Sequence, residues 1–412
     1  MSRYDWIIRN GRVLDPANDV DGAFDVGIAG GRVAAVEERI DPSLGSKVFD
    51  ASGKLVTPGL IDLHAHTYNH VTPLGIDADY YCLGRGVTTA VDTGSAGSDT
   101  FPGFRVYSVE ASRTRVLAFL NISRAGLSFS AAAGVEGGGE LESLKIVNVD
   151  PCVDTIESNR DILVGVKIRL SESLADDGRN EPEAFRRAKE AAAAVGLPLM
   201  VHYSFTTVPH EDCPGSLAAG DIFTHCFHGY PGSIVDPETR RPAELIRAAR
   251  DRGVRFDIGH GGGSFSWTVA EICVGEGFWP DTISTDIHTL TCNGPGYDMP
   301  TVMTKLLRVG MPLEEVIKGS TVDAARAIGW EDRIGTLGVG READVAVLAL
   351  EDVDVELEDC HVQMRRVRQR LVADAVWRAG EPGEITRPDP WPNPELPETL
   401  RAWRSHMVVK DA

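Results

Sequence analysis

The sequence predicts an α/β fold: a (β/α)8, TIM-like barrel with a small discontinuous β-sandwich domain built from both chain ends. Three observations predict it. Short strands and turns fill the first 57 residues. Eight apolar strands then alternate with helical stretches, which implies parallel pairing around a barrel. Strand character returns in GTLGVGREADVAVLAL, residues 335–350, after the last helices.

The whole chain bounds the reading. It has 412 residues, 42% of them hydrophobic, enough for one large domain and a small companion. A formal charge of −20 repels nucleic-acid phosphates and anionic lipid, so neither nucleic acid nor membrane is expected as a partner. Seven cysteines, with no C-x-x-C pair, suit free thiols in a reducing cytoplasm. MSRYDWIIRNGRV lacks the apolar stretch of a signal peptide, and no apolar run approaches a membrane span. A cytoplasmic enzyme acting on a small molecule is expected, with a homo-oligomer as the usual assembly.

Each element has its own warrant. In DWIIRNGRVLD, Asn10-Gly11 between two apolar runs predicts a hairpin. Gly30-Gly31 predicts a second, and Ser52-Gly53 a third turn. Residues 1–57 and 334–380 are assigned to the small β domain. Pro58-Gly59 punctuates the chain and opens the barrel, assigned to 58–333. Its strands are read as LIDLHAH, GVTTAVDTG, RVLAFLNIS, ILVGVKIRL, LPLMVHYS, DIFTHCFHG, VRFDIGHGG and DTISTDIH. EPEAFRRAKEAAAAVG and RPAELIRAARDRG are read as helices between them. The proline-rich tail, 381–412, is expected to cross the surface extended before a short helix near 397–405.

Barrel enzymes place their chemistry at the C-terminal ends of the strands. The metal-capable residues at those ends are His64 and His66 on the first strand, Lys167 on the fourth, His202 on the fifth, His225 on the sixth and Asp286 on the eighth. His64 and His66 are two apart, so both point to one side of a strand and can grip one cation. Lys167 lies in the apolar run GVKIR, where an unpaired ammonium is costly. A salt bridge is the ordinary remedy. Alternatively the amine loses a proton and adds carbon dioxide, giving an N6-carboxylated lysine that bridges two metals. The ligand set then suits two divalent ions, with His64, His66 and Asp286 on one and His202 and His225 on the other. Zinc fits these donors, as do manganese, iron, cobalt and nickel. Asp286, bound to one metal, is the candidate general base and acid.

PGLIDLHAH, GVKIR, MVHYS, FTHCFHG and ISTDIH resemble the strand-end motifs of the amidohydrolase superfamily. FDIGHGGGSFSW, PDTISTDIHT and GPGYDMPTVMTKLL are similar to its dihydroorotase-like amidohydrolase/deacetylase group. The resemblance implies a binuclear metal-dependent hydrolase of a small amide or ester, a deacetylase or deacylase of a carboxylate-bearing molecule. The alternative is a cyclic-amide hydrolase of dihydroorotase, hydantoinase or dihydropyrimidinase type. A lyase or isomerase, or a non-catalytic binding protein, completes the set. Dihydroorotases carry an arginine two residues after the second metal histidine, where this chain has Tyr68, which counts against dihydroorotase itself.

Five residues are candidates for substrate contact. Tyr68 bonds the substrate or walls the pocket. Arg169 grips a carboxylate or forms a structural ion pair. His260 and Gly261 begin a glycine run that admits substrate to the backbone or makes a tight turn. His288 orients Asp286 or touches substrate. His228 is read as supporting the metal ligands from behind. Asn121 is a weaker candidate, and His70, His210, His361, His406 and the thiols receive no role.

Overall fold

The computed structural model describes residues 2–128, 139–395 and 407–410. The chain opens with β1 (Tyr4–Asp15), β2 (Val20–Ala29), β3 (Arg32–Glu37), β4 (Gly45–Asp50) and β5 (Leu55–Pro58). β2 and β3 form the expected hairpin, with Gly30 at φ 57° and Gly31 at φ 74° supplying the two left-handed positions of its turn. Asn10-Gly11 does not turn the chain. β1 runs straight through it, with a bulge against β2 between Ile8 and Gly11. The reason is tertiary: the Asn10 amide donates to Asp25 Oδ1 at 2.9 Å, and a Cβ on Gly11 would lie 2.5 Å from Val56.

The barrel strands follow: β6 (Leu60–Ala65), β7 (Val87–Gly97), β8 (Arg115–Asn121), β9 (Leu163–Leu170), β10 (Leu199–Tyr203) and β11 (Ile222–Thr224). After a two-residue pair, β12 (Val235–Asp236) with β13 (Arg241–Pro242), comes β14 (Arg255–Asp257). These give one curled parallel sheet in the order β14-β11-β10-β9-β8-β7-β6. The predicted eighth strand is not regular. Residues 281–288 make single bridges, Thr282 to Asp257 of β14 and Ile287 to Ala65 of β6. Side chains take its amides: Thr285 N–H donates to Asp62 and His288 N–H to Thr291 Oγ1. Asp286 itself adopts φ 47°, which ends any extended run.

The chain then returns to the first sheet as β15 (Val345–Glu358), β16 (Met364–Arg378) and β17 (Glu381–Pro382). The mixed sheet runs β17-β16-β15-β5-β1-β2-β3, with β4 also on β1. Its core gathers Ile8, Val13, Val26, Val56, Val345 and Trp377, residues from both chain ends. Arg115, at the start of β8, pairs with Glu342 and Asp344 and ties the two sheets together. The tip of the β15–β16 hairpin reaches the C-terminal end of the barrel, where Asp359 accepts from Trp267 N–H and Cys360 N–H donates to Phe265 O. All seven cysteines are buried and unpaired. Among the described residues no helix is long and apolar enough to cross a membrane. The helix expected near 397–405 lies outside the described residues.

Candidate metal centre

β6 carries His64 and ends just before His66, and the 281–288 segment bridges to it at Ala65. Asp286 is thereby brought against both histidines. Its Oδ1 stands 3.3 Å from His64 Nε2 and 3.1 Å from His66 Nε2. One ligand atom from each of the three lies within 4.8 Å of the others, and all three residues are buried.

These contacts are neither ion pairs nor hydrogen bonds. Burial holds His64 well below the usual histidine value and brings His66 down to about 4, so both rings are neutral at pH 7. The tautomer of His64 follows from its neighbours. The Thr224 hydroxyl donates to Asp257 Oδ2 at 2.7 Å, so its oxygen accepts the His64 Nδ1 proton at 3.0 Å. His64 Nε2 is then a bare lone pair facing a carboxylate oxygen. Asp286 Oδ1 has no hydrogen-bond partner among the described residues. Lone pairs converging in a buried site repel unless a cation stands between them. The donor set of two imidazole nitrogens and a carboxylate fits a divalent metal.

The remaining predicted ligands gather alongside. His225 donates Nδ1–H to Gly259 O at 2.6 Å, and its Nε2 is buried without a partner among the described residues. Burial lowers it to about 3, which leaves that nitrogen as an acceptor. The His225 ring lies 5.0 Å from His64 and 4.3 Å from His202. His202 Nε2 stands 2.8 Å from Ser204 Oγ. Lys167 is fully buried on β9, and its Nζ finds no hydrogen-bond partner among the described residues. The salt bridge that would ordinarily stabilise it is absent from that set. Burial brings its amine down to about 7, so a large share is neutral near pH 7.

The candidate substrate residues divide. Arg169, whose side chain is largely buried, has Nε and Nη2 taken by the buried Glu140 carboxylate, an ion-pair arrangement. Tyr68 is buried and donates its hydroxyl to Thr100 O at 3.1 Å. His260 is fully buried with both ring nitrogens engaged, by Gly261 O and Lys305. Gly261 backs directly onto Asp286: a Cβ there would lie 2.4 Å from Oδ2. His288 accepts the Leu290 N–H at Nδ1, which puts its own proton on Nε2, and its ring lies 6.1 Å from His66. Asn121 bonds Gly94 O and the Ser123 amide and braces the backbone near Lys167. His228, fully buried, accepts the Tyr230 N–H.

Several site residues escaped the sequence reading. Asp257 receives hydroxyls from Thr224, Thr282 and Ser284, joining β11, β14 and the eighth segment behind His64. Asp62 accepts from Thr285 N–H and Oγ1 and from His64 N–H. Glu140 and Lys305 complete the set. A carboxylate inside an apolar strand, as in RFDIG and LIDLH, was the available signal.

A model of the amidohydrolase family matches residues 268–380. A deacetylase of Agrobacterium fabrum is 36% identical, over 84% of this chain and 83% of its own. A dihydroorotase of Anaeromyxobacter dehalogenans is 32% identical over 61% of this chain and 53% of its own. A solved structure described as a dihydroorotase superposes with a TM-score of 0.84 at 33% identity, covering 93% of this chain and 99% of that one.

Proposed function

The chain belongs to the amidohydrolase superfamily and is a metal-dependent enzyme of it; on that premise we propose that it hydrolyses the carbon–nitrogen bond of a small amide at a binuclear centre. One observation carries the reading: the buried, neutral rings of His64 and His66 converge through Nε2 on the unpartnered Oδ1 of Asp286 at the C-terminal ends of barrel strands. His64, His66 and Asp286 hold the first cation. His202 and His225 hold the second, supported by the unpartnered Nε2 of His225. Lys167, carboxylated on Nζ, joins them; its unpartnered amine, brought down to about 7 by burial, supports that assignment. Zinc is the expected ion, with manganese, iron, cobalt or nickel as substitutes. A bound divalent cation supplies Lewis acidity at the carbonyl and water acidified to a pKa near roughly 7. Asp286 receives the attacking water's proton at its carboxylate and passes it to the leaving nitrogen. His288, neutral with Nε2–H at the mouth, donates to the substrate.

Two substrate classes share this chemistry. Ring opening of a cyclic amide has the wider support, because dihydroorotases recur among both the sequence relatives and the solved structures. Removal of an open-chain acyl group is the second reading, favoured by the Agrobacterium deacetylase and by Tyr68. Tyr68 stands where a dihydroorotase has its arginine, and its hydroxyl is committed to Thr100 O. A panel of cyclic imides and ureides against N-acyl and O-acyl acids decides between them. Elemental analysis of the parent and Lys167→Ala tests the centre: about two metals per chain, falling clearly in the variant, is the expected result. One metal in both would reduce Lys167 to packing.

A further inference from the structure

Lys305 lies in the Met299–Arg308 helix and is fully buried. A buried ammonium needs acceptors for all three protons. It finds them in His260 Nε2 at 2.9 Å, Pro295 O at 2.8 Å and Glu358 O at 2.7 Å. None is a carboxylate oxygen; Glu358 Oε1 instead accepts from Tyr297 OH. Phe265 and Trp267 add ring faces at 5.5 and 5.7 Å. Because every proton is donated within the protein, the amine has none to offer a ligand. Its effect must pass through the groups it holds.

The group that leads to the metal centre is His260. Its Nε2 accepts from Lys305, so its proton sits on Nδ1 and is donated to Gly261 O at 2.9 Å. The other tautomer would set an N–H against the ammonium and a flipped ring a C–H, so Lys305 favours the observed tautomer and rotamer. Stacking on Phe265, at 4.8 Å and 13°, holds the ring plane. The backbone then runs to the catalytic segment: His260 N–H donates to Ser284 O at 3.2 Å and Gly261 N–H to Thr285 O at 2.9 Å. Gly261, at φ 52°, lies against Asp286 Oδ2 with no room for a side chain. Three remote segments therefore meet at one amine: the turn after β14, the loop before the helix, and the β15–β16 hairpin.

We propose that Lys305 is a positioning residue that acts through His260 and Gly261 to hold the Asp286 carboxylate toward His64 and His66. The proposal rests on the metal-dependent reading above. Its test uses cobalt(II)-loaded protein, read by visible absorption and by competition with a chelator. Lys305→Met is expected to change the cobalt spectrum and weaken retention by about 10- to 100-fold, the usual cost of removing an outer partner of a ligand. His260→Leu should do the same. His260→Gln, whose amide oxygen stands near the lost Nε2, should keep the parental spectrum. A parental spectrum and retention in Lys305→Met would reduce it to a structural residue. If that variant does not fold, the two His260 variants decide, and identical behaviour of both would overturn the proposal. A parent that takes up no cobalt sinks the metal centre and this proposal together. A parent that takes up cobalt but opens no substrate in the panel sinks the hydrolase reading alone and leaves the comparison intact.

Discussion

Asp286 is asked to do two things, and they separate by substitution. Oδ1 faces His64 and His66, while Oδ2 lies against Gly261. In Asp286→Asn one oxygen still reaches the cation, but the side chain no longer accepts a proton. Metal content should stay close to the parent, and kcat should fall by about 10²–10⁴-fold, the range of a lost general base. Steady-state rates beside elemental analysis check this; parental turnover would remove Asp286 from proton transfer. Gly261→Ala attacks the same carboxylate from outside. The new methyl would meet Oδ2 at 2.4 Å on a backbone at φ 52°. A drop in kcat with a stability loss of about 1–2 kcal/mol is expected, since alanine is strained there.

At the scale of elements, the barrel strands deliver ligands and the hydroxyls between strands set their protonation. Asp257 of β14 gathers Thr224 of β11 with Thr282 and Ser284 of the eighth segment, and Thr224 in turn takes the His64 proton. Asp257→Asn breaks that relay, because an amide nitrogen competes to donate where hydroxyls donated. Metal affinity should weaken by about 10- to 100-fold, with zinc competition as the measurement. Unchanged affinity would show that His64 keeps its tautomer without help. The relay also shows what was legible in the sequence. His64, His66, Lys167, His202, His225 and Asp286 were singled out because each falls near the end of a strand predicted from the alternation, and the structure gathers His64, His66 and Asp286 into one cluster. Asp257 and Lys305 were not, because their partners are remote in the chain and no spacing encodes them. The Asn10-Gly11 dipeptide carried a real turn signal that Asp25 and Val56 redirected into a bulge. The eighth strand lost its regularity because Asp62 and Thr291 claim its amides.

For the whole molecule, two junctions carry the stability that function depends on. The first joins the sheets. Arg115 is nearly buried between Glu342 and Asp344. Arg115→Met leaves the buried Asp344 without its ion-pair partner and Glu342 with Arg333 alone, and should cost about 3–5 kcal/mol, read from urea unfolding. Burial works to raise the Glu342 carboxyl, but Arg115 and Arg333 prevail and hold it below its ordinary value. Its contribution is therefore present above the unfolded value of about 4.3 and is lost as pH falls through the lower folded value. The gap between parent and variant should narrow in that acid window. The second junction is the metal centre itself. His225 Nε2, Asp286 Oδ1 and Lys167 Nζ are buried without partners among the described residues, so the folded chain bears their desolvation. A cation that binds only the folded state stabilises it by linkage, about 4 kcal/mol at a thousand times its Kd. Chelation should accordingly lower Tm by several degrees, and added zinc should restore it. In the triple variant His64→Ala, His66→Ala, Asp286→Ala the chelator should have much less effect, because the first cation has lost its protein ligands. A parent whose Tm ignores both chelator and zinc would mean that these lone pairs are tolerated bare, and the case for a metal-dependent hydrolase would fall with that result.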